Sequence, residues 1–489
     1  MPRGRCVVAF VCAIIPLSPL ALADAGFSIG RNFIAADLGD VLVLNNDNFL
    51  RTPAPDVNGG VGPDHVVLFI KGAYRVWDKH TGSLVRSIND VDFWNQSFTN
   101  NGLTYQTVQT RGPSDPRILF DRQTQRWYAV GIDRTGTDEG VLNIAVSNGP
   151  DPSGPGAWRG FTLQAFSPGW PDFPTVGIDS RGLHVSSSLF DSFGSFQSNQ
   201  YSFLPSAALL ATHPGAAGAV QFAIGGTATA NPAVQMRPRA ADARLPVLST
   251  TGNLLRFGKA GNPPAEPITL ASAVPNVTVT NGGTAPQPPG ASPVFALDGR
   301  ISSSVVLAGE EVWGVANFNT GIKWFRLNAQ TGATLEQGTI TTGNLKLFFP
   351  SIAVDDAGQV VIGMNGSGTT TFISSYAVTG RTVNGVTTFG DLTQLAAGQA
   401  TYQIFDPSGR NRWGDYSTTV IDPADVNVFW TFQEVANAPR FVPELNRTIS
   451  NNRAIWITQV FVPEPGNVAL CFVLGVTGSA RRRHRGRNA

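Results

Sequence analysis

The chain has 489 residues, of which only 14% are charged, and its formal net charge is +1. Hydrophobic residues make up 42%, with 53 glycines and 34 prolines. This composition supports a large, turn-rich core and excludes both overall disorder and a helical bundle. Because the chain has only five lysines and no basic stripe, nucleic-acid binding is disfavoured.

Residues 1–25 have the pattern of a secretory signal peptide. Two arginines precede an apolar stretch at 6–22, and Ala23 and Ala25 each complete a small-x-small pattern suited to signal peptidase. Prolines interrupt the stretch, so it lacks the ~20 clean apolar residues of a membrane anchor. We therefore expect export, with cleavage after Ala23 or Ala25 by signal peptidase.

Residues 26–54 are predicted to form lead-in strands before the first repeat.

Two polar loops near this segment, residues 45–48 and 56–59, are rich in Asp, Asn and Gly. Their carboxylate and carbonyl oxygens are ligands that Ca²⁺ prefers, although short loops of this composition are more often turns. Calcium is therefore the one cofactor that the sequence leaves open.

An internal repeat organises the body of the chain. Residues 173–186 and 349–363 share one phrase, a strand that begins Phe-Pro, a turn at Asp-x-x-Gly and a second strand. Looser copies with the same order of strand, turn and strand occur at residues 62–77, 115–130, 245–257, 300–315 and 413–430.

The spacing of these units is ~45 to 65 residues, which matches four-stranded propeller blades with variable loops. A β-helix has much shorter repeats, and a set of β-sandwiches would not reuse one hairpin phrase. The sequence therefore predicts an all-β fold, a six- or seven-bladed β-propeller over residues 55–461. Residues 235–293 match the repeat least and contain Pro/Gly-rich loops, so they are interpreted as a poorly matched blade followed by a long connection.

The last segment, residues 462–489, combines three features in order. The first is a rigid proline motif made of Val462, Pro463, Glu464 and Pro465. A short apolar run follows at 468–476. The third is a basic stop made of Arg481, Arg482, Arg483 and Arg485.

This three-part order resembles the PEP-CTERM sorting signal, in which an exosortase recognises the Pro-Glu-Pro motif and processes the tail. Arginines beside an apolar segment stay on the cytoplasmic side, which would place the folded body outside. The resemblance implies an exosortase-like sorting protease as partner and a transient membrane contact through the apolar run. The alternative is a last strand with a basic end.

Residues 56–63, 74–79, 115–117 and 126–127 follow one another in an order that resembles exported bacterial β-propeller proteins, which are loosely sialidase-like in fold. The resemblance covers residues 55–460. A sialidase needs three arginines around a carboxylate, a tyrosine nucleophile with its glutamate, and an aspartic acid. Residues of these types are Arg117, Arg237, Arg239, Arg412, Tyr402, Tyr416 and Glu434. Their spacing selects none of them, and typical Asp-box turns are absent, so the catalytic residues stay unknown.

Other kinds of site find less support. The three cysteines lie in the two terminal segments, and the five histidines form no zinc-binding pattern. Several aromatic residues near predicted loops could stack on sugar rings, but packing between blades is the favoured role for such side chains. These aromatic residues are Trp94, Trp158, Trp170 and Phe173.

Together these patterns predict a protein of the cell surface or extracellular matrix of a bacterium with a Gram-negative-type envelope. Its expected role is non-enzymatic binding of a glycan or protein through loops on one propeller face. The alternative is a secreted glycoside hydrolase or lyase that acts on polysaccharide. A pair of carboxylates at the axis would favour the hydrolase, because glycosidases use two such groups, and the fold does not choose between the two roles.

Overall fold

The computed structural model describes residues 26–48, 54–106, 112–136, 139–166, 168–225, 229–237, 239, 243–261, 268, 270, 273–280 and 282–463. The predicted signal peptide, with Ala23 and Ala25, lies outside these residues. Residues 464–489 of the predicted sorting signal also lie outside the described residues. They include the predicted site residues Glu464, Pro465, Arg481, Arg482, Arg483 and Arg485. Val462 and Pro463 are described and follow the last strand directly.

The described chain begins with strand β1 (Ser28–Asp37) and helix α1 (Leu38–Leu44). Asp37 ends the strand and caps the helix: its carboxylate accepts a hydrogen bond from the Asp40 amide at 2.9 Å, and the Asp40 carboxylate accepts one from the Asp37 amide at 3.3 Å. This reciprocal capping box satisfies two backbone donors at the helix start.

No helix in the described part of the chain is long and apolar enough to cross a membrane.

Sheets of four strands follow one another along the chain. Blade 1 has β2 (Asn58–Val61), β3 (His65–Ile70), β4 (Ala73–Asp78) and β5 (Leu84–Ile88). Helix α2 (Asp90–Asn100) leads to blade 2, which has β6 (Ser114–Asp121), β7 (Arg126–Arg134), β8 (Gly140–Ser147) and β9 (Trp158–Gln164). Blade 3 has β10 (Trp170–Asp179), β11 (Gly182–Phe190), β12 (Phe196–Pro205), helix α3 (Ser206–Leu209) and β13 (Val220–Ile224).

The second half continues the series. Blade 4 has β14 (Thr229–Gln235), β15 (Pro246–Thr251), β16 (Leu254–Lys259) and β17 (Ala273–Thr278), and a hairpin of β18 (Thr284–Ala285) and β19 (Val294–Phe295) follows it. Blade 5 has β20 (Val305–Ala308), β21 (Glu311–Phe318), β22 (Gly321–Asn328) and β23 (Thr334–Ile340). Blade 6 has β24 (Lys346–Val354), β25 (Gln359–Gly368), β26 (Thr371–Val383), β27 (Val386–Phe389) and β28 (Thr393–Ala396).

Blade 7 contains the two ends of the described chain. Its first strands are β29 (Thr418–Ile421) and β30 (Val428–Ala436). The connection that follows holds β31 (Arg440–Val442), a 3₁₀ helix (Pro443–Leu445) and β32 (Arg447–Ile449). The third strand is β33 (Arg453–Phe461), and the fourth is β1, which pairs antiparallel with β33.

The first strands of the blades surround a common axis. A cavity on this axis is lined by residues from all of them, including Asn58, Ile118, Ile178, Val234, Val306, Ala353 and Thr419. Adjacent first strands pair in parallel where β14 meets β10 and β20. The described residues therefore form a seven-bladed β-propeller, and the predicted fold class is confirmed. The weakly matched residues 235–293 include the last three strands of blade 4 and the connection that carries β18, in agreement with their interpretation.

Residues 26–54 differ from their interpretation as lead-in strands. Their described part, residues 26–48 and 54, contains one strand and one helix, and β1 is an integral part of blade 7. Without β1, strand β33 would present a row of unpaired backbone groups at the edge of the blade. The segment therefore closes the ring by completing the last blade.

The repeated Asp-x-x-Gly turns form because an aspartate at the end of the first strand satisfies the backbone of the turn. The Asp179 carboxylate accepts a hydrogen bond from the Arg181 amide at 2.9 Å, and Asp355 accepts one from the Ala357 amide at 2.9 Å. Asp422 accepts from the Ala424 amide at 2.9 Å in the same way. These aspartates are structural.

Large aromatic side chains fill the space between blades 1 and 2. Trp94 and Trp158 are buried there, as predicted, and the ring of Phe93 meets them edge-on at 5.1 and 5.2 Å between centroids. A Cβ on Gly60 would lie 2.9 Å from the Trp127 ring, so glycine at that position allows the indole to approach the first strand. The core therefore lies between adjacent blades and leaves the axis to smaller and polar residues.

The two faces of the ring are distinct. We call the face on which the first strands begin the upper face, and the face on which they end the lower face. Since β33 runs in the same sense as β29, it ends on the lower face, and β1 begins there opposite it, with Ser28 paired to Phe461. The Val462 amide then donates to the Asn427 carbonyl in the lower-face turn of blade 7 at 2.9 Å.

Candidate functional site

The structure separates the residues considered for a sialidase-like site. Five of them lie around the upper end of the axis and the start of β29: Arg117, Tyr402, Arg412, Tyr416 and Glu434. Arg237 and Arg239 lie on the lower face, where Arg237 pairs with Asp356 and Arg239 pairs with Glu310 at 2.7 Å. No arrangement of three arginines around one point combines these groups.

Unusual backbone conformations mark the upper end of the axis. A non-glycine residue has a positive φ near the start of four blades, at Asp56 (52°), Asp115 (50°), Phe173 (52°) and Phe349 (47°), and at Leu297 (63°) in the segment that leads to blade 5. At Asp115, Phe173 and Phe349 the next residue is proline and the pairing register shifts, as in a β-bulge. Each bulge redirects the side chains at the start of its strand.

One result is a buried stack of side chains on the axis. The Tyr416 hydroxyl donates to the Asp115 carboxylate at 2.7 Å, and the Phe173 amide donates to the same oxygen at 3.2 Å. The Arg117 guanidinium lies 3.6 Å from the centre of the Tyr416 ring, and its Nε donates to the Pro174 carbonyl at 2.7 Å. This stack closes the axis beneath the upper face.

Two ion pairs, one of them bidentate, lie beside the stack and nearer the solvent. Arg300 binds Asp298 through two contacts of 2.8 and 2.6 Å, and Arg412 binds Asp415 at 2.6 Å. All four side chains are partly exposed. We call the charged residues at this end of the axis the axial cluster: Asp56, Asp115, Arg117, Asp172, Asp298, Arg300, Arg412 and Asp415.

The carboxylates of the axial cluster influence one another. Burial and the charges of Asp115 and Asp415 raise the pKa of Asp172 to about 7, and they hold the pKa of Asp56 well above its usual range. Asp172 forms no ion pair with the described residues and is partly exposed. Near neutral pH the cluster therefore offers both a protonated carboxyl group and ionised carboxylates.

Glu434 lies just outside this cluster, beneath the loop that carries Asp415. A Cβ on Gly414 would overlap the Glu434 carboxylate, so glycine makes room for it. Burial raises the pKa of Glu434 to about 8, although Arg453 and Arg412 oppose the shift. The carboxyl group is therefore neutral over most of the physiological range.

In the two loops considered for calcium, several side chains have partners within the protein. Asn45 donates to the Val41 and Gly72 carbonyls at 2.8 Å, and Asp47 pairs with Arg447. The Asn58 amide bonds the Thr418 hydroxyl at 3.0 Å. Within the ranges that the structure describes, no group of three or more His, Cys, Asp or Glu residues is placed to hold a metal ion.

The aromatic candidates have packing roles. Phe173 is buried in the axial stack. Trp170 lies at the upper face, but Arg134 covers one side of its ring at 3.2 Å and Phe190 stacks against it at 5.3 Å. Its ring therefore offers no obvious platform for a sugar.

Sequence reasoning missed Asp172, Asp298, Arg300 and Asp415. Each stands within three residues of a positive-φ position or of Tyr416 at a blade start, in phrases such as Pro-Asp-Phe-Pro and Gly-Asp-Tyr. The repeat phrases could have suggested that they share a position in their blades. Their convergence depends on closure of the ring, which the sequence does not show directly.

A broad depression lies on the lower face between blades 4, 5 and 6. Its volume is about 1020 Å³, and its walls carry both basic and acidic side chains, including Lys259, Arg326, Glu311 and Asp355. Arg326 is paired with Glu311 at 3.0 Å. Because its charges largely neutralise one another, this depression is less distinctive than the axial cluster.

No protein-family model matches the sequence, and no curated protein sequence matches it. Among solved structures, the chain is similar to the β-propeller domain of Cps50 (Swd1) from Myceliophteria thermophila, with 9% identity, a TM-score of 0.36 and coverage of 81% of this chain and 97% of that one. It is also similar to the subtype N10 neuraminidase-like protein of A/little yellow-shouldered bat/Guatemala/060/2010 (9%, 0.37, 68% and 96%). A third similar structure is the GH43 endo-arabinanase from Bacillus licheniformis (13%, 0.30, 73% and 96%). Such distant likenesses do not indicate a function.

Proposed function

We propose that this protein is an exported surface or extracellular-matrix β-propeller that binds a glycan at the axial cluster without cleaving it. The observation that supports this most is the pair of fixed arginine–carboxylate units, Arg300–Asp298 and Arg412–Asp415, on either side of the partly exposed Asp172. Fixed donors and acceptors of this kind recognise hydroxyl groups with little loss of conformational entropy.

The limits of the propeller are compatible with export and sorting. Strand β1 starts at Ser28, just after the expected cleavage positions Ala23 and Ala25, and β33 ends at Phe461, just before Val462. Removal of the two terminal segments would therefore leave every blade intact. The proposed partners remain signal peptidase, an exosortase-like protease and a surface glycan.

A hydrolase is the second candidate, because the pKa of Asp172 near 7 suits a general acid. Glycoside hydrolysis also needs a second carboxylate that is free to act. Asp298 and Asp415 are each engaged by an arginine, and Asp115 accepts three hydrogen bonds. Binding therefore agrees better with the observed pairing.

The test compares two arginines that each form one ion pair, Arg412 on the upper face and Arg239 on the lower face. Arg412→Met and Arg239→Met are measured for binding to an immobilised panel of neutral, acidic and amino-sugar polysaccharides. We expect Arg412→Met to bind at least tenfold more weakly, since a charge-assisted hydrogen bond contributes about 1.5–3 kcal/mol, and Arg239→Met to bind like the wild type.

Equal binding by the wild type and Arg412→Met would contradict the proposal. The hydrolase would instead be established if the wild type released new reducing ends from a bound polysaccharide and Asp172→Asn released none. Both outcomes are read from the same panel, so binding and cleavage are distinguished directly.

A further inference from the structure

A small cavity lies on the axis below the buried stack. Its volume is about 30 Å³, and its walls come from the first strands of blades 1 to 5. A second cavity of about 90 Å³ lies toward the lower face and shares four lining residues with it, namely Asn58, Ile118, Leu119 and Ser304. The upper cavity is large enough for one small species, since a water molecule needs roughly 10–15 Å³ by this measure.

Three buried polar atoms on the wall of this small cavity have no hydrogen-bond partner among the described residues. They are Arg117 Nη2, Asn231 Oδ1 and Ser303 Oγ, from side chains whose residues are only 6%, 1% and 5% exposed. Buried polar groups nearly always have a partner. Three unpartnered atoms around one cavity therefore indicate a bound species.

Arg117 determines the charge of that species. Its Nε donates to the Pro174 carbonyl at 2.7 Å and one Nη donates to the Ser302 carbonyl at 3.4 Å, which uses two of its five N–H groups. It forms no ion pair with any carboxylate in the described ranges, and the nearby Asp115 carboxylate accepts instead from the Tyr416 hydroxyl, the Phe173 amide and the Ser114 hydroxyl. A buried guanidinium with free donors favours an anion.

The other two side chains can complete a shell of donors. Ser303 carries a rotatable hydroxyl group. The Asn231 amide contacts the Thr229 hydroxyl through Nδ2 at 3.4 Å, and a 180° rotation lets that hydroxyl donate to the amide oxygen while the NH₂ group turns to the cavity. Arg117, Ser303 and Asn231 can then all act as donors at the wall of the cavity that they line.

We propose that this cavity is a binding site for one monoatomic anion, chloride under ordinary conditions, held by Arg117, Asn231 and Ser303. The volume excludes a sugar ring, so this site lies apart from the solvent-facing ion pairs of the proposed glycan site, and Arg117 is the residue that the two sites share. The inference does not depend on the proposed function, because it rests on the unpartnered atoms and on the charge of Arg117.

The direct test is diffraction from crystals of the protein grown in bromide, recorded at the bromine absorption edge. We expect one anomalous peak between Arg117, Asn231 and Ser303. In solution, the thermal unfolding midpoint is measured as sodium chloride replaces sodium gluconate at constant ionic strength, and it should rise by a few degrees because an anion that binds only the folded state stabilises it.

The matched variants are Ser303→Ala in the cavity and Ser367→Ala elsewhere, since Ser367 is another buried serine with an unpartnered hydroxyl. Ser303→Ala should need about tenfold more chloride for the same rise, whereas Ser367→Ala should respond like the wild type. A map without the anomalous peak, a bromide peak without any chloride response in solution, or the same response in both variants would each overturn the proposal.

Discussion

At the scale of single residues, backbone strain and burial gather at one end of the axis. A non-glycine residue with a positive φ is held there only by its surroundings, at a cost of about 1–3 kcal/mol. Five such residues, Asp115 and Phe349 among them, lie near the starts of blades or in the segment before blade 5, where strained backbone is compatible with a functional role. Their positions coincide with the charged groups to which we assign binding.

Glu434 makes the pH dependence of this region measurable. Its pKa in the folded protein is about 8, well above that of an unfolded glutamate, so the folded state keeps a proton that the unfolded state has lost. Its contribution to stability is therefore complete below about pH 4 and disappears as pH rises through 8. Between these limits the free energy of unfolding falls by up to about 1.4 kcal/mol per pH unit for this group.

Glu434→Gln removes that titration and keeps the shape of the neutral acid. We expect the unfolding free energy of the variant to change less between pH 5 and pH 8.5 than that of the wild type, with the variant relatively more stable at the alkaline end. Urea denaturation across this range measures it. Glu444→Gln, at an exposed carboxylate, should follow the wild-type curve; a Glu434→Gln curve parallel to the wild type would refute the assignment.

At the scale of secondary-structure elements, the closing strand β1 is the most consequential. It pairs along β33 from Ser28 opposite Phe461 to Asp37 opposite Ala454. Ala36 on this strand is fully buried, whereas Ile34 is 44% exposed. Ala36 thus lies on the core side of the strand, and Ile34 lies on its solvent side.

Ala36→Asp should weaken ring closure, because it places a charge where no partner compensates it, at a cost of several kcal/mol. We expect a clear fall in the thermal unfolding midpoint and increased binding of a hydrophobic dye. Ile34→Asp serves as the comparison and should leave the midpoint within a degree or two. If both variants lowered the unfolding midpoint by a similar amount, the effect would come from an acidic residue anywhere on β1. Burial of Ala36 in the core would then not explain it.

The hairpins were predictable from sequence because their signals are local: a first strand, an Asp-x-x-Gly turn and a second strand recur along the chain. The role of β1 was not, since its partner β33 lies more than 400 residues away and neither strand resembles the repeat phrase. The axial cluster was unpredictable for the same reason. Asp172, Asp298 and Asp415 become neighbours only when seven blades close into a circle.

At the scale of the whole molecule, the proposed processing can be tested by mass. We expect the mature protein from its native host to begin after Ala23 or Ala25 and to end near Pro463 to Pro465, because the propeller is complete without the flanking segments. Intact mass spectrometry of cells and medium, with and without the sorting protease of the host, measures both ends. A tail that retains Arg481 to Ala489 in both strains would remove the sorting proposal and leave the propeller itself unaffected.

Both ends of the propeller leave from its lower face, where Ser28 is paired with Phe461. A protein fixed to a cell through the segment after Phe461 would lie with this face toward the envelope and the axial cluster toward the medium. Neighbouring molecules in a crowded layer would then touch along their rims, and their outward faces would stay clear at any surface density. Such a layer could collect long polymers from outside, with each molecule contributing one contact to a multivalent array.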